Sequence, residues 1–234
     1  MNVAVVLSGG VGSRMGIDRP KQYVLVNNKP VISYCLKTFF ENEMTDAILI
    51  GVCKEWEDYV CEIVDSFQCK KPVYYSLPGE TRQLTIYNAL NVLRELNLGE
   101  EDVVLIHDAA RPMVSHDLIN RCFESCKLAD GVMPVIPVKD TTYLSSDGLH
   151  IDSLLNRNHL WGGQAPEAFR FGPYLRVHNL MTKEELLQIT GSTEIAYRAG
   201  LNCIMVKGDP MNIKITTLED LSTFESIVTG LRDY

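Results

Sequence analysis

Short apolar runs and amphipathic stretches alternate along most of the chain, and that alternation predicts its elements. Asn2 to Leu7, Asp46 to Cys53, Pro72 to Ser76, Asp102 to His107 and Val132 to Ile136 have strand length. Their near-continuous apolar runs, AVVL, AILIGV and VVLI, suit a parallel sheet covered on both faces. Between them, Val31 to Phe40, Glu55 to Phe67, Arg82 to Leu96 and Ser115 to Leu128 space their apolar positions as helices do, with Ser115 as an N-cap. This βαβ rhythm predicts an α/β fold of three layers, Rossmann-like, with a mostly parallel twisted sheet between helices.

After Pro137 the rhythm breaks. Lys139 to Asp152 reads as two short strands around a Ser-Ser-Asp-Gly turn, part of a protruding β-hairpin arm at about 138–160. Such an arm either reaches a partner subunit or lies on the edge of its own domain. A Gly-Gly-Gln-Ala-Pro-Glu loop follows, then helices at Phe171 to Leu180, Lys183 to Gln188 and near Thr193 to Ala199. A strand at Asn202 to Val206 and a helix at Leu218 to Leu231 complete the pattern. No repeat or linker divides it, so residues 1–234 are read as one domain with an arm.

Composition narrows the class. With 46% apolar and 22% charged residues the chain is globular rather than disordered. Its longest apolar runs, Val3 to Leu7 and Ala47 to Val52, fall far short of the roughly 20 residues that cross a bilayer. The opening MNVAVVLSGG lacks the basic and long apolar regions of a secretory signal, so a soluble cytoplasmic protein is expected. A formal charge of −8, from 22 Lys and Arg against 30 Asp and Glu, argues against a nucleic-acid partner but leaves room for a local phosphate pocket. The seven cysteines show no zinc spacing, so reduced core thiols and no protein-held metal are expected. Of the five histidines only His107 lies near candidate chemistry, and a structural role at a strand end is the reading for it.

That chemistry begins where the first strand ends, in Ser8-Gly9-Gly10-Val11-Gly12-Ser13-Arg14-Met15-Gly16, with Arg19-Pro20-Lys21-Gln22 just beyond. Gly9, Gly10 and Gly12 let backbone N–H groups approach phosphate oxygens at the carboxyl end of a parallel strand, where such sheets bind ligands. The segment is neither a Walker A loop nor a dinucleotide G-x-G-x-x-G. Arg14 and Lys21 add a forked and a point cation suited to a triphosphate.

GGVGSRMG with PKQ resembles the nucleotidyltransferases that activate sugar and polyol phosphates. HDAARP at 107–112, PVKDT at 137–141 and NIKIT at 212–216 followed by LEDL are similar to the cytidylyltransferases of 2-C-methyl-D-erythritol 4-phosphate and D-ribitol 5-phosphate. The resemblance implies attack of an acceptor phosphate oxygen on the α-phosphorus of CTP, with release of pyrophosphate. It implies Arg14, Lys21 and Lys214 as catalytic cations and Ser8, Gly9, Gly10, Gly12, Gly79, Arg82 and Thr85 as the nucleotide site. It further implies Asp108, Arg111, Thr141 and Arg157 as the site of the polyol phosphate, and a homodimer whose arm crosses to the partner. The gathered phosphate charge requires Mg²⁺, expected to arrive with CTP and to be held mainly by its phosphates.

Four positions depart from the family pattern, two at the nucleotide site and two near the acceptor. Ser8 and Thr85 stand where relatives often have Ala and Ser. Ala165 replaces the Thr of a Trp-x-x-Gln-Thr-Pro segment, and Thr190-Gly191-Ser192-Thr193 lacks the acidic residues of a Thr-Asp-Asp or Thr-Asp-Ala stretch, unless Glu194 substitutes. HDAARP and PVKDT lean to the methylerythritol phosphate enzyme, for an isoprenoid precursor route, which is the first expectation, while Gly163-Gln164 before Ala-Pro resembles the ribitol phosphate enzyme, for a surface polymer, the second. A CTP-binding module without turnover, or a transferase using UTP or GTP on a hexose phosphate, are the readings of other kinds.

Overall fold

The computed structural model describes residues 1–10 and 19–230. The chain runs β1 (Asn2–Leu7), β2 (Leu25–Val26), β3 (Lys29–Pro30), α1 (Val31–Glu41), β4 (Ala47–Gly51), α2 (Lys54–Ser66) and β5 (Val73–Ser76). It continues through α3 (Arg82–Glu95), β6 (Val103–Asp108), α4 (His116–Ser125) and β7 (Gly131–Pro137). The arm carries β8 (Thr142–Leu144) and β9 (Ser153–Leu155). Then come β10 (Trp161–Gly163), β11 (Glu167–Arg170), α5 (Phe171–Leu180), α6 (Lys183–Gln188), α7 (Ser192–Arg198), β12 (Cys203–Lys207) and α8 (Leu218–Gly230).

The main sheet has the order β10-β7-β11-β6-β1-β4-β5, with β12 also paired to β7. Strands β5, β4, β1 and β6 are parallel to one another, as their dry, unbroken apolar runs predict. In β1 Val3 and Val5 face a core shared with α3 and α5, while Ala4 and Val6 face one shared with α1, α2 and α4. Burying a valine in this way contributes about 1.5–3 kcal/mol, so neither helical layer is dispensable. Ser115 does cap α4, accepting a hydrogen bond from the Leu118 N–H at 3.3 Å. A third, smaller core of Val26, Val31, Ile215 and Phe224 fastens α8 to the start of α1.

The structure differs from the expected pattern in four places. First, the arm's second strand begins after Asp152, and 145–152 form a loop. The Asp147 carboxylate accepts from the Leu149 and His150 N–H groups, and Asp152 from that of Ser146, which favours an open loop over a tight turn. Second, the segment read as a Gly-Gly-Gln-Ala-Pro-Glu loop supplies β10 and the start of β11, which inserts antiparallel between β6 and β7. Only Ala168 and Phe169 in β11 carry an apolar signal, and flanking charges hide it. Third, β2 and β3 form a hairpin whose turn residues Asn27 and Asn28 both have positive φ, 55° and 60°, which asparagine tolerates. Fourth, the NIKIT segment around Lys214, despite its apolar alternation, forms no strand and is irregular. All seven cysteines are free thiols, but only Cys35, Cys122 and Cys126 are fully buried; the rest are half-buried.

Candidate active site

Beyond the carboxyl end of β1, Ser8 to Gly10 are braced by side chains of the Lys21–Tyr23 segment. The Gln22 side-chain amide donates to the carbonyls of both Ser8 (2.7 Å) and Gly10 (2.8 Å), and the Ser8 and Tyr23 hydroxyls share a 2.7 Å hydrogen bond. Burial pushes the Tyr23 phenol up to about 12, so it keeps its proton for that bond. Gly9 packs on Pro78 so closely that a Cβ would lie 2.3 Å from the proline Cβ. Gly79 packs on the first turn of α3, where a Cβ would lie 2.4 Å from Leu84 Cβ and 2.7 Å from its carbonyl carbon. Gly9 and Gly10 line one cavity of about 480 Å³ together with Lys21 and the Gly79–Arg82 segment and Thr85. Thr85 ties its own loop together, its hydroxyl donating to the Thr81 carbonyl and accepting from the Gly79 N–H. Gly12 and Arg14 lie outside the described residues.

Asp108, the last residue of β6, sits at the centre of a charged cluster. Arg82 Nε lies 3.0 Å from Oδ1, Lys214 Nζ 2.8 Å from Oδ2, and Arg111 Nε 3.8 Å from Oδ2. Burial alone would push this carboxyl up; Arg82 and Lys214 overcome it and hold the group well below the usual carboxylate range. Burial also lowers Arg111, although a guanidinium stays charged. The irregular segment around Lys214 is pinned by main-chain contacts: Arg111 Nη1 donates to the Asn212 carbonyl, the Asn212 amide to the Ala165 carbonyl, and the Ile215 N–H to the Ala110 carbonyl.

A second cavity of about 500 Å³ opens on the other side of Asp108. Arg82, Asp108 and Lys214 line both cavities and form the wall between them. The second cavity is walled by Arg111, Met133, Ala165, Glu167 and the start of α7. Such a wall places a carboxylate that accepts from hydroxyls next to cations that neutralise phosphate, between two ligand-sized spaces.

Most of the residues singled out from sequence meet here: Gly9, Gly10, Lys21, Gly79, Arg82 and Thr85 line the first cavity, with Asp108, Arg111 and Lys214 at the wall, whereas Ser8 is buried against Tyr23 and does not line it. Arg82 is turned toward Asp108, Glu167 and Ser192. Thr141 and Arg157 are brought together elsewhere, at a hollow on the arm, where Arg157 Nη1 donates to the Lys139 carbonyl at 2.8 Å. His107 is fully buried, its Nε2 donating to the Arg111 carbonyl.

Three residues of the site carried no assignment from sequence: Gln22, Asn212 and Glu167. The first two stand inside quoted motifs, and only their contacts reveal that they brace the main chain. Glu167 follows Pro166 in the segment read as a loop. Its carboxylate is 8% exposed, Oε2 accepting from the Thr193 N–H (2.9 Å) and hydroxyl (2.7 Å). Glu194, the substitute considered above, instead accepts from the Thr190 N–H and hydroxyl and the Gly191 N–H, capping its own helix. Among the described residues no group of three or more His, Cys, Asp or Glu side chains comes together, and no helix is long and apolar enough to cross a membrane.

The family model described as 2-C-methyl-D-erythritol 4-phosphate cytidylyltransferase matches residues 2–230. A protein of that name from Clostridium beijerinckii is 36% identical over 230 residues, covering 97% of this chain and 98% of its own. A ribitol-5-phosphate cytidylyltransferase from Vibrio parahaemolyticus is 32% identical over 229 residues, covering 97% and 96%. Among solved structures, the 2-C-methyl-D-erythritol 4-phosphate cytidylyltransferase of Francisella tularensis superposes with a TM-score of 0.79 at 28% identity, over 96% of this chain and 99% of that one. With the two-cavity wall of β6 and α3 already in place, a match of this extent makes the chain a nucleotidyltransferase of the 2-C-methyl-D-erythritol 4-phosphate cytidylyltransferase family.

Proposed function

We propose that this chain transfers CMP from CTP to 2-C-methyl-D-erythritol 4-phosphate in the cytosol, releasing pyrophosphate, as a step toward isoprenoid precursors. The observation that carries the reading is the Arg82–Asp108–Lys214 wall between a glycine-lined cavity and a polyol-sized one. CTP occupies the first cavity, its base against Gly9, Gly10 and Gly79 and its triphosphate toward Lys21, with Arg14 as a second cation for it. The acceptor lies in the second, its hydroxyls donating to Asp108. Met133 and Ala165 offer an apolar surface for the C-methyl group. An acceptor phosphate oxygen attacks the α-phosphorus in line while the bond to the β-phosphate oxygen breaks, and Lys214 at the wall neutralises the charge that gathers there.

The carboxylates facing the nucleotide cavity, Asp108 and Glu80, are already paired with Arg82 and Lys214 and with Lys183. That suits a Mg²⁺ ion liganded mainly by phosphate oxygens, whose bound charge eases the approach of two anions. Thr141 and Arg157 reach an acceptor phosphate when the arm of a second copy docks, which makes the working unit a homodimer. Exposed Tyr143, Leu144, Leu149, Ile151 and Leu154 give the arm the apolar surface that such docking would cover.

Pyrophosphate release with Mg²⁺ and CTP tests the reading, with methylerythritol 4-phosphate and D-ribitol 5-phosphate run side by side. The expected result is at least tenfold higher kcat/KM on the former. The reverse preference establishes the second reading, which the 32% identity to a ribitol-5-phosphate cytidylyltransferase keeps open beside the first. Saturable CTP binding without turnover on either acceptor would mean a binding module. Gly79→Ala is expected to raise the KM for CTP about tenfold, near 1.4 kcal/mol, because the new methyl meets helix backbone that cannot yield. An unchanged CTP KM would remove Gly79 from the nucleotide site.

A further inference from the structure

We infer that Glu167 is a positioning residue for the acceptor, acting through Arg82 to keep the Asp108 carboxylate open to polyol hydroxyls. The inference rests on the proposed function and adds a residue to that same site.

The Arg82 fork is divided among three elements. Nε holds Asp108 on β6, Nη2 lies 3.4 Å from Glu167 Oε1 on β11, and Nη1 donates to the Ser192 hydroxyl at the start of α7. A guanidinium is planar and its donors point in fixed directions, so three partners on three elements set its orientation. Glu167 is itself fixed, since its other oxygen accepts two hydrogen bonds from Thr193. Because Arg82 is shared, it engages Asp108 through Nε alone, at Oδ1, and with Lys214 at Oδ2 each oxygen of this cavity-lining carboxylate keeps a further lone pair.

Glu167 also sets the local charge. Arg82, Arg111 and Lys214 face two carboxylates, Asp108 and Glu167, within one contiguous cluster. With Glu167 neutral, the three cations compete for Asp108 alone. Arg82 then turns its second donor onto that carboxylate and occupies the lone pairs the polyol needs. Glu167→Gln keeps the size and an acceptor oxygen for Thr193, removes the charge, and replaces the acceptor facing Arg82 with an amide NH2 that cannot hold it.

The test is steady-state kinetics of Glu167→Gln, Arg82→Lys and the double variant, varying CTP and the acceptor separately, with the acceptor that the wild type prefers. Glu167→Gln is expected to raise the acceptor KM at least tenfold while the CTP KM and kcat stay within threefold. In the Arg82→Lys background, which lacks the fork, the same change is expected to add less than twofold. An unchanged acceptor KM, or both KM values rising together with a lower melting temperature, overturns the inference in favour of a purely structural Glu167. Effects that multiply in the double variant overturn it as well, since Glu167 then acts without Arg82. A wild type silent on every polyol phosphate fails earlier and differently: it removes the proposed function, and this inference with it.

Discussion

Asp108→Ala is expected to cost about 3–5 kcal/mol of folding stability and to abolish turnover together. The stability loss follows from what the change leaves behind: Arg82, Arg111 and Lys214 around a cavity, with Glu167 as the one remaining counter-charge in contact. Arg82 and Arg111 have mostly buried side chains, 27% and 12% exposed, so water cannot fully replace the lost carboxylate. For a chain of this size each kcal/mol moves the midpoint by roughly 2–4 °C, so a fall of about 6–20 °C is the readout. The sign with pH is fixed by the direction of the shift. A carboxyl whose folded value is held below its unfolded one stabilises above the unfolded value and loses that contribution as pH falls toward the folded value. The gap between wild type and variant should therefore be constant from about pH 5 upward and close below about pH 4. Lys214→Ala is the control: its side chain is 37% exposed, and its loss should reduce turnover with little change in melting. An Asp108→Ala protein that melts like wild type would contradict the charged-cluster account.

How much of this was legible beforehand follows the range of the interactions involved. Strands β1, β4, β5, β6 and β7 and helices α1 to α5 were readable because burial on both faces of a parallel sheet writes itself as unbroken apolar runs. Strand β11 was not, since its pairing with β6 and β7 is long-range while its own sequence, Glu-Ala-Phe-Arg, is half charged. The same strand hid Glu167. A carboxylate in a presumed loop reads as solvated, and only the register that sets Glu167 opposite Ile106 carries it to the Arg82 side of the site. Conversely, Asp108, Lys214 and the Gly9 segment were found because local motifs carried them, although nothing local indicates that Asn212 and Gln22 hold those segments in place.

Acid is expected to destabilise this protein well before its carboxylates titrate, through two histidines. His107 and His178 are both fully buried, and burial pushes each imidazole down to about 4. Their hydrogen bonds explain why the neutral forms are kept. His107 donates through Nε2 to the Arg111 carbonyl, while its Nδ1 has no hydrogen-bond partner among the described residues and its ring packs edge-on against Phe39, so a second proton would go unpaired in a buried site. His178 donates through Nδ1 to the Tyr174 carbonyl, and its Nε2 accepts from the Gln83 amide; protonation sets donor against donor. For a base whose folded value is depressed, the unfolded chain takes up protons first. Stability is thus intact above the unfolded value, about 6.5, and drains away as pH falls toward the folded one. At pH 5 the loss is about 2 kcal/mol per histidine, or about 4 kcal/mol for the pair, a large part of the 5–15 kcal/mol typical of a domain. Three buried thiols, Cys35, Cys122 and Cys126, are pushed up to about 12, so they favour the folded chain below about 9 and withdraw that support at higher pH. The stability plateau should accordingly span about pH 7 to 9. Urea unfolding at pH 7.5, 6 and 5 measures the acid side directly, and a profile flat to pH 5 would mean that neither imidazole is held neutral by the fold.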